Sequence, residues 1–366
     1  MIHSFLVLLA TAIACSLLGV FLVLRNLSMI ADAISHSVLL GIVLSFFWVK
    51  SLNSPILMLG ASLFGMITVY AIEKLGSLGT VKRDDAIGVV YPLFFAIAVI
   101  LITHFARNTT LKTDLVLTGE VVFVSLDTIS IFGIKIARSF LKIALLCVIN
   151  AIFVGIFFKE LKITSFDPVF AKMAGFSATT VFYLLMTLTS FTTVFAFDAV
   201  GTILVISLFI TPASAAYLLT KSLSGMIFNS LFFALFNTSL GFFLAVNFNV
   251  SISGMIAFCG MLSFLPVLLF YPEGLIAQLL QRQKNKNLLD EYLFIVHLEN
   301  HPEEKNFGDE GNKLGSHLNW TNKKIQTVTK RLYKKKLLTK SENFYELTKK
   351  GQKEYLKIVK KYKLFL

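Results

Sequence analysis

Nine long apolar runs limit what this chain can fold into more than any other feature of its sequence. An α-helix needs about 20 apolar residues to cross the roughly 30 Å hydrocarbon core of a bilayer. Hydrophobic residues form 56% of the 366-residue chain and charged residues only 15%, which excludes an ordinary soluble globular protein. We therefore predict an all-α polytopic membrane protein with about nine transmembrane helices. The predicted spans are residues 4–24, 27–48, 54–73, 86–106, 138–158, 178–197, 200–220, 223–245 and 252–271.

The interval between the fourth and fifth spans does not fit this pattern. Residues 115–134 are apolar but interrupted by Glu120 and Asp127. A tenth span here would reverse the orientation of every helix before it. We therefore predict that this interval re-enters the membrane or lies on its surface.

The charge distribution predicts a membrane domain followed by a basic soluble tail. Residues 283–366 hold 19 Lys and Arg against 10 Asp and Glu, whereas residues 1–282 hold 15 against 11. We divide the chain into a transmembrane domain (1–275), a polar basic linker (276–287) and a cytoplasmic domain (288–366). Nine spans put the termini on opposite sides of the membrane. The loops on the side of the tail carry eight basic residues, and the loops on the opposite side carry five. The positive-inside rule then predicts an N-terminus outside and a cytoplasmic tail.

Asp32 and His36 interrupt the second apolar run and are four residues apart. Side chains at positions i and i+4 lie on the same face of a helix. A charge inside a membrane helix costs about 2.5–3.5 kcal/mol on insertion scales, so it usually faces a pathway or a partner. A carboxylate with an imidazole suits a divalent metal such as manganese, iron or zinc. The alternative is a buried Asp–His hydrogen bond that only fastens two helices together.

Asp198 is a third acidic candidate, at a predicted outer corner between two spans. A helix cap is the commoner role for such a residue, and an acidic group at the entry of a metal path is the alternative. Because a path binds its cargo only in passing, we expect no permanently bound cofactor. The metal would be a transported divalent ion.

A polar break at residues 165–175 interrupts the apolar pattern on the predicted cytoplasmic side. Asp167 followed by Pro168 is typical of a helix N-cap with proline at the first helical position, and Gly175 is typical of a helix end. We predict a two-turn helix across the cytoplasmic mouth. Such a helix is either a simple loop element or a docking site for a partner.

Four stretches resemble the permease subunit of the zinc/manganese/iron ABC importers, and together they extend over residues 1 to about 275. The resemblance implies a protein of the bacterial cytoplasmic (inner) membrane that imports manganese or iron first and zinc next. It also implies that Asp32 and His36 line the translocation path. The four stretches are 22–42 (LVLRNLSMIADAISHSVLLGI), 84–99 (DDAIGVVYPLFFAIAV), 165–175 (SFDPVFAKMAG) and 198–220 (DAVGTILVISLFITPASAAYLLT).

The same resemblance implies partners on both sides of the membrane. They are a second permease (a homodimer or a related chain), a cytoplasmic ATP-hydrolysing subunit and an extracytoplasmic metal-binding protein. This chain has no GxxxxGK[ST] nucleotide-binding motif, so the energy comes from another subunit and the chain itself is not an enzyme. The residues that would contact the ATPase are Phe166, Asp167, Pro168, Ala171 and Gly175.

The tail has a predicted order of elements that resembles a DNA-binding domain. A helix at 288–300 precedes a short helix, a turn and a longer basic helix within 313–338, and residues 339–365 supply a two-stranded wing and a closing helix. This order, with YELTKKGQKEYLKIVKKYKLF at 345–365, resembles the small α+β winged helix of the iron-dependent (diphtheria-toxin-type) repressors. The resemblance implies that a helix at 322–336 enters a DNA major groove. Its contacts to phosphates or bases would be Lys323, Lys324, Lys330 and Arg331.

Three functions remain open from the sequence. The leading one is a metal importer permease with a regulatory tail. The alternative is a membrane-anchored DNA-binding regulator in metal homeostasis whose permease body acts as a sensor. A structural scaffold is disfavoured, because Asp32, His36 and the 165–175 segment lie where transport needs them. For the tail alone, contact with anionic lipid headgroups or docking to the ATPase competes with DNA binding.

Overall fold

The computed structural model describes residues 1–50, 54–79, 81–105, 128–131, 134–272, 274–300, 319–341 and 344–362. The chain divides into two compact parts, here called the membrane unit (Met1–Tyr271) and the tail unit (Pro272–Leu366).

Helices dominate the membrane unit. Nine helices in the described part of the chain are long and apolar enough to cross a membrane, which confirms the nine predicted spans. Every boundary lies within three residues of its predicted position. The nine helices are α1 (Ile2–Leu24), α2 (Ser28–Val49), α3 (Pro55–Gly76), α4 (Arg83–Phe105), α5 (Arg138–Ile156), α8 (Ala178–Val200), α9 (Thr202–Leu219), α10 (Leu223–Phe248) and α11 (Ile252–Phe270). Two shorter helices, α6 (Phe158–Phe166) and α7 (Pro168–Met173), lie between α5 and α8.

An antiparallel hairpin precedes α5. Strand β1 (Thr128–Ile131) pairs with β2 (Ile134–Ala137), with Thr128 opposite Ala137. The hairpin begins inside the 115–134 interval that the sequence predicts to re-enter the membrane or lie on its surface. Residues 106–127 lie outside the described residues, so that prediction stays a prediction.

Serine N-caps begin four of the nine spanning helices. In each case the serine hydroxyl accepts a hydrogen bond from a backbone N–H of the first turn, which has no partner within the helix. Only Gly201 separates α8 from α9, and its φ of 83° is a conformation that residues with a side chain rarely adopt. These local signals explain why the boundaries follow so closely from the sequence. The four caps are Ser54 of α3, Ser177 of α8, Ser222 of α10 and Ser251 of α11.

Helix α8 connects two groups of packed helices. One group is α2, α3 and α4, and in the other α1 packs against α5, α9 and α10. Helix α8 contacts α1, α2, α3 and α5. Because α2 contacts α3, α4, α8 and α9, it is surrounded by other helices along much of its length. The helix that carries Asp32 and His36 therefore lies inside the bundle.

Small residues let α2 and α3 approach closely. A Cβ atom added to Gly41 would lie 2.7 Å from the carbonyl oxygen of Gly60 and 2.8 Å from the Cα of Ala61. Both of these atoms belong to the backbone, which cannot move away as a flexible side chain can. Small residues at such contacts are typical of helix packing in membranes.

We predict that Gly41→Ala destabilises the membrane unit by about 1–3 kcal/mol, the usual cost of overpacking. The midpoint of thermal unfolding in detergent measures this effect and should fall. The matched control is Gly88→Ala on α4, where an added Cβ meets nothing within 4 Å. An equal midpoint for the two variants would contradict the prediction.

The tail unit contains three helices and a two-stranded antiparallel sheet among its described residues. In chain order the elements are α12 (Leu275–Asn300), α13 (Asn322–Lys334), β3 (Leu338–Ser341), β4 (Phe344–Leu347) and α14 (Lys349–Tyr362). Phe294 of α12, Leu332 of α13 and Ile358 of α14 belong to its apolar core.

The resemblance of the tail unit to a winged helix stays a prediction. Residues 276–287, predicted as a polar basic linker, are helical and form the first part of α12. Their Lys, Gln, Arg and Leu residues are good helix formers, so a polar composition did not prevent a helix. The short helix predicted at the start of 313–338 falls on residues that the structure does not describe.

Candidate functional site

Asp32 and His36 form a pair on one face of α2. The Nε2 atom of His36 lies 3.4 Å from Oδ1 of Asp32, as the i, i+4 spacing predicts. The His36 side chain is 35% exposed and that of Asp32 28% exposed, although most of their neighbours on α2 are buried. The pair joins two residues of the same helix, so it does not fasten two helices together. Its exposure leaves it accessible to an ion.

Aromatic rings from α4 hold the imidazole in place. The ring of Tyr91 stacks on His36 with a centroid distance of 5.6 Å, and that of Phe95 meets it edge-on at 6.0 Å. Aromatic pairs prefer these arrangements. Both rings belong to the 84–99 stretch, but no sequence signal paired them with His36. They are site residues that the sequence analysis missed.

Asp198 does not complete a metal cluster with this pair. It lies exposed near the end of α8. Within the part of the chain that the structure describes, no three His, Cys, Asp or Glu side chains come close enough to hold a metal ion together. The role of Asp198 as an acidic group at the entry of a metal path stays a prediction. Among the described residues, Asp32 and His36 are two side-chain ligands at this site, and a transition metal held by them would keep open positions.

Helix α7 has the capped structure that the sequence predicts. The Asp167 side chain accepts a hydrogen bond of 2.8 Å from the backbone N–H of Phe170, and Pro168 occupies the first position of the helix. Gly175 follows the helix with a φ of 85°. Six residues give α7 just over one and a half turns, slightly shorter than the predicted two turns. The predicted residue Ala171 is buried and anchors the inner side of α7.

An exposed apolar patch lies on α7 and on the residue that ends α6. Its four large side chains are each more than half exposed. Contiguous apolar side chains on an otherwise polar surface mark interaction sites. The four residues, here called the α7 patch, are Phe166 (60%), Val169 (70%), Phe170 (52%) and Met173 (76%).

Arg25 connects the α1–α2 turn to the end of α6. Its Nη2 atom donates a 2.6 Å hydrogen bond to Oγ1 of Thr164, and its Nε donates a 3.0 Å bond to Oγ of Ser165. Burial lowers the pKa of the Arg25 guanidinium to about 10, so the group stays protonated at neutral pH. In the sequence, Arg25 is recognisable only as a loop charge, because these contacts join positions about 140 residues apart.

The basic helix of the tail unit, α13, is only partly free to meet a ligand. Lys324 forms a 2.8 Å ion pair with Asp290 of α12 and lies 4.1 Å from the Trp320 ring centroid. Arg331 is half-buried, whereas Lys323 and Lys330 are exposed. Of the four predicted DNA contacts, Lys324 therefore has a structural role. The exposed face comprises Lys323, Gln326, Thr327, Lys330 and Lys334, spaced as one side of a helix.

Comparison with known proteins gives matches over both units. A model of the ABC 3 transport family matches residues 1–271, which is the whole membrane unit. The manganese transport system membrane protein MntD of Bacillus subtilis is 41% identical over 243 residues, which cover 66% of this chain and 82% of that protein. The zinc transport system membrane protein TroD of Treponema pallidum is 39% identical over 349 residues, 94% of this chain and 95% of that protein. The TroD match therefore includes most of the tail unit.

A solved structure shares the architecture of the membrane unit. PsaBC from Streptococcus pneumoniae in complex with Fab superposes with a TM-score of 0.62 and 32% sequence identity. The superposition covers 74% of this chain and 91% of that chain. The similarity therefore spans nearly the whole of the solved chain.

Proposed function

Because the chain belongs to the ABC 3 transport family, we propose that it is the membrane permease of an importer for a divalent transition metal. It is a multi-pass membrane protein with a transport role and is not an enzyme. Relatives named for manganese and for zinc transport support these two metals. Iron, which the sequence analysis also predicts, suits the same carboxylate and imidazole ligands.

The Asp32–His36 pair is the observation that carries this proposal. One carboxylate and one imidazole lie 3.4 Å apart on a helix that is otherwise packed inside the bundle. Ionisable side chains inside membrane helices mark ion paths. The metal is thus the cargo of the protein.

A second permease would complete the coordination. Zinc takes four ligands, and manganese usually more, whereas the described part of one chain brings Asp32 and His36 together here without a third such side chain. Around a twofold axis, a second copy contributes the same two side chains. A related permease with the same pair would serve equally. We therefore propose that the path lies between two permease chains.

The α7 patch is the proposed contact for a cytoplasmic ATPase subunit. Helix α7 follows the fifth span and the tail unit follows the ninth, so both lie on the same side of the membrane when all nine helices cross it. The excess of basic residues on that side supports a cytoplasmic location in a bacterial inner membrane, with the N-terminus outside. An extracytoplasmic metal-binding protein would deliver the ion from the opposite side.

Metal uptake by cells tests the proposed function. Bacteria that lack their own manganese and zinc importers are given this permease together with its ATPase and metal-binding partners. We expect saturable accumulation of manganese or zinc, and none when the permease alone is omitted. Failure to accumulate manganese, zinc or iron with all partners present would overturn the proposal.

For the tail unit we propose a second, separable role in DNA binding, as a winged-helix-like domain. The exposed face of α13 supports it, because Lys323, Lys330 and Lys334 alternate there with the polar residues Gln326 and Thr327. Lysines neutralise phosphates, whereas amides and hydroxyls read base edges. The two-stranded sheet and the closing helix follow α13 in the order that such a domain needs.

We predict that Lys323→Ala/Lys330→Ala lowers the affinity of the full chain for its own promoter DNA about ten-fold and reduces the salt slope by about two. Fluorescence anisotropy of the detergent-solubilised protein measures both quantities. The control is Lys357→Ala on α14, whose side chain is 75% exposed. Binding to anionic lipid vesicles with no binding to DNA would contradict this role.

A further inference from the structure

We infer that Arg25 is a positioning residue that links the movement of α7 to that of α2. The inference rests on the proposed function and deepens it. It names the residue that would pass a movement of α7, the proposed contact of the ATPase partner, on to the helix of the metal pair. Three features of the membrane unit lead to it: the contacts of the Arg25 side chain, the rigidity of its backbone, and its distance from each site.

The Arg25 side chain bridges two elements that are far apart in the sequence. Two nitrogens of one guanidinium bond the hydroxyls of Thr164 and Ser165, neighbouring residues in the last turn of α6. The planar fork of arginine makes two such bonds in a fixed geometry, which lysine cannot reproduce. The orientation of the α6 end is therefore tied to the α1–α2 turn.

Backbone hydrogen bonds in the α1–α2 turn hold the main chain around Arg25 in place. The N–H of Leu27 bonds the carbonyl of Leu22, and the N–H of Asn26 bonds that of Val23. Asn26 is left-handed, with a φ of 55°. These bonds form a Schellman motif. The N–H of Ile30 then bonds the carbonyl of Leu27 as α2 begins. Because these bonds hold the turn as one rigid segment, a displacement of Arg25 also displaces the first turn of α2.

Helix α7 begins within one helical turn of the bonds that Arg25 makes to α6, and Asp32 lies about two turns beyond Arg25 along the chain. Helix α7 begins at Pro168, three residues after Ser165. Asp32 is four residues into α2, which is about 6 Å along the helix axis, and His36 lies one turn further. Among the described residues, the Arg25 side chain therefore connects the segment that precedes α7 to the turn that precedes α2.

The partners of Arg25 suit a joint that moves. Among the described residues, its hydrogen bonds go to hydroxyls and no carboxylate pairs with it. A buried ion pair is costly to break, since each partner is left as an uncompensated charge. Hydroxyl partners can be exchanged more easily, while the charge still makes each bond stronger than a neutral one. The hydrogen bonds from Arg25 to Thr164 and Ser165 can therefore hold α6 in each conformation of the transporter and still be exchanged when the conformation changes.

The test measures metal moved per ATP hydrolysed by the complete transporter in proteoliposomes. With Arg25→Gln we expect ATP hydrolysis to persist while metal transport falls about ten-fold, the effect of losing charge-assisted hydrogen bonds. The double variant Thr164→Val/Ser165→Ala removes the other half of the joint and should give the same loss. Thr164→Ser, which keeps the hydroxyl, should transport as the wild type does. Lys162→Gln changes an exposed basic residue of α6 and serves as the control.

The outcomes separate this inference from the proposed function. If the wild type moves no metal, the proposed function fails. If the wild type moves metal and both the arginine and the hydroxyl variants keep its metal-to-ATP ratio, the inference is overturned and the function stands. If Arg25→Gln does not fold, the hydroxyl variants decide the matter. Loss of ATP hydrolysis in proportion to transport also contradicts the inference, because a purely structural role predicts it.

Discussion

Asp32→Asn is expected to lower the initial rate of metal uptake about a hundred-fold, equivalent to roughly 2.7 kcal/mol. Asparagine has nearly the same shape as aspartate, so the packing of α2 is kept. The variant loses the negatively charged carboxylate, which would take the place of water molecules bound to a divalent ion. Uptake by cells with matched amounts of permease in the membrane measures the effect. Asp84→Asn, at an exposed position in the first turn of α4, is the control and should leave uptake near the wild-type rate.

His36→Phe separates binding from packing at the same site. Phenylalanine keeps an aromatic ring against Tyr91 and Phe95 but has no nitrogen to donate to a metal. We expect uptake to fall as far as it does with Asp32→Asn. A variant that transports normally would mean that the imidazole only packs between the rings of α4, and the pair would then be structural.

The second large effect is expected at the α7 patch. Val169→Asp places a charge on a side chain that is 70% exposed, so folding of the permease should tolerate it. In an apolar interface the same charge must be buried without a partner, and such a change costs at least about 2 kcal/mol at a central position. We expect the ATPase subunit to be lost from the purified complex and uptake to fall with it.

A matched variant distinguishes the patch from the surrounding surface. Lys159→Asp introduces the same carboxylate at an exposed position of α6, outside the α7 patch. It should retain the ATPase subunit during purification. Equal loss of the subunit in both variants would mean that any added acid on this side disrupts the complex. Retention in both would show that the ATPase binds elsewhere.

Local physics made much of this architecture predictable. A helix in lipid must pair its backbone groups within itself, so each apolar run of sufficient length becomes a span, and serine caps fix where α3 and α8 begin. The Asp32–His36 contact follows in the same way, because an i, i+4 spacing sets it within one helix. The cap of α7 by Asp167 also needs only neighbouring residues.

The remaining features depend on contacts between distant parts of the chain. Nothing near His36 in the sequence indicates that Tyr91 stacks on it, and nothing near Arg25 indicates Thr164. Lys324 has the composition of a DNA contact, but Asp290, 34 residues earlier, holds it in an ion pair. Asp198 was considered beside the metal pair because it is an acidic residue at a predicted outer corner between two spans, and that position in the sequence carries no information about its distance from the pair.

Elemental mass spectrometry of cells that depend on this permease tests the central claim most directly. The comparison is between wild type and Asp32→Ala at matched expression, with manganese, zinc and iron measured in the same sample. If the pair lies in the metal path, the variant lowers the content of one of these metals, and the metal that falls is the cargo. Unchanged contents of all three would contradict that claim, and the Asp32–His36 pair would then not be part of a metal path.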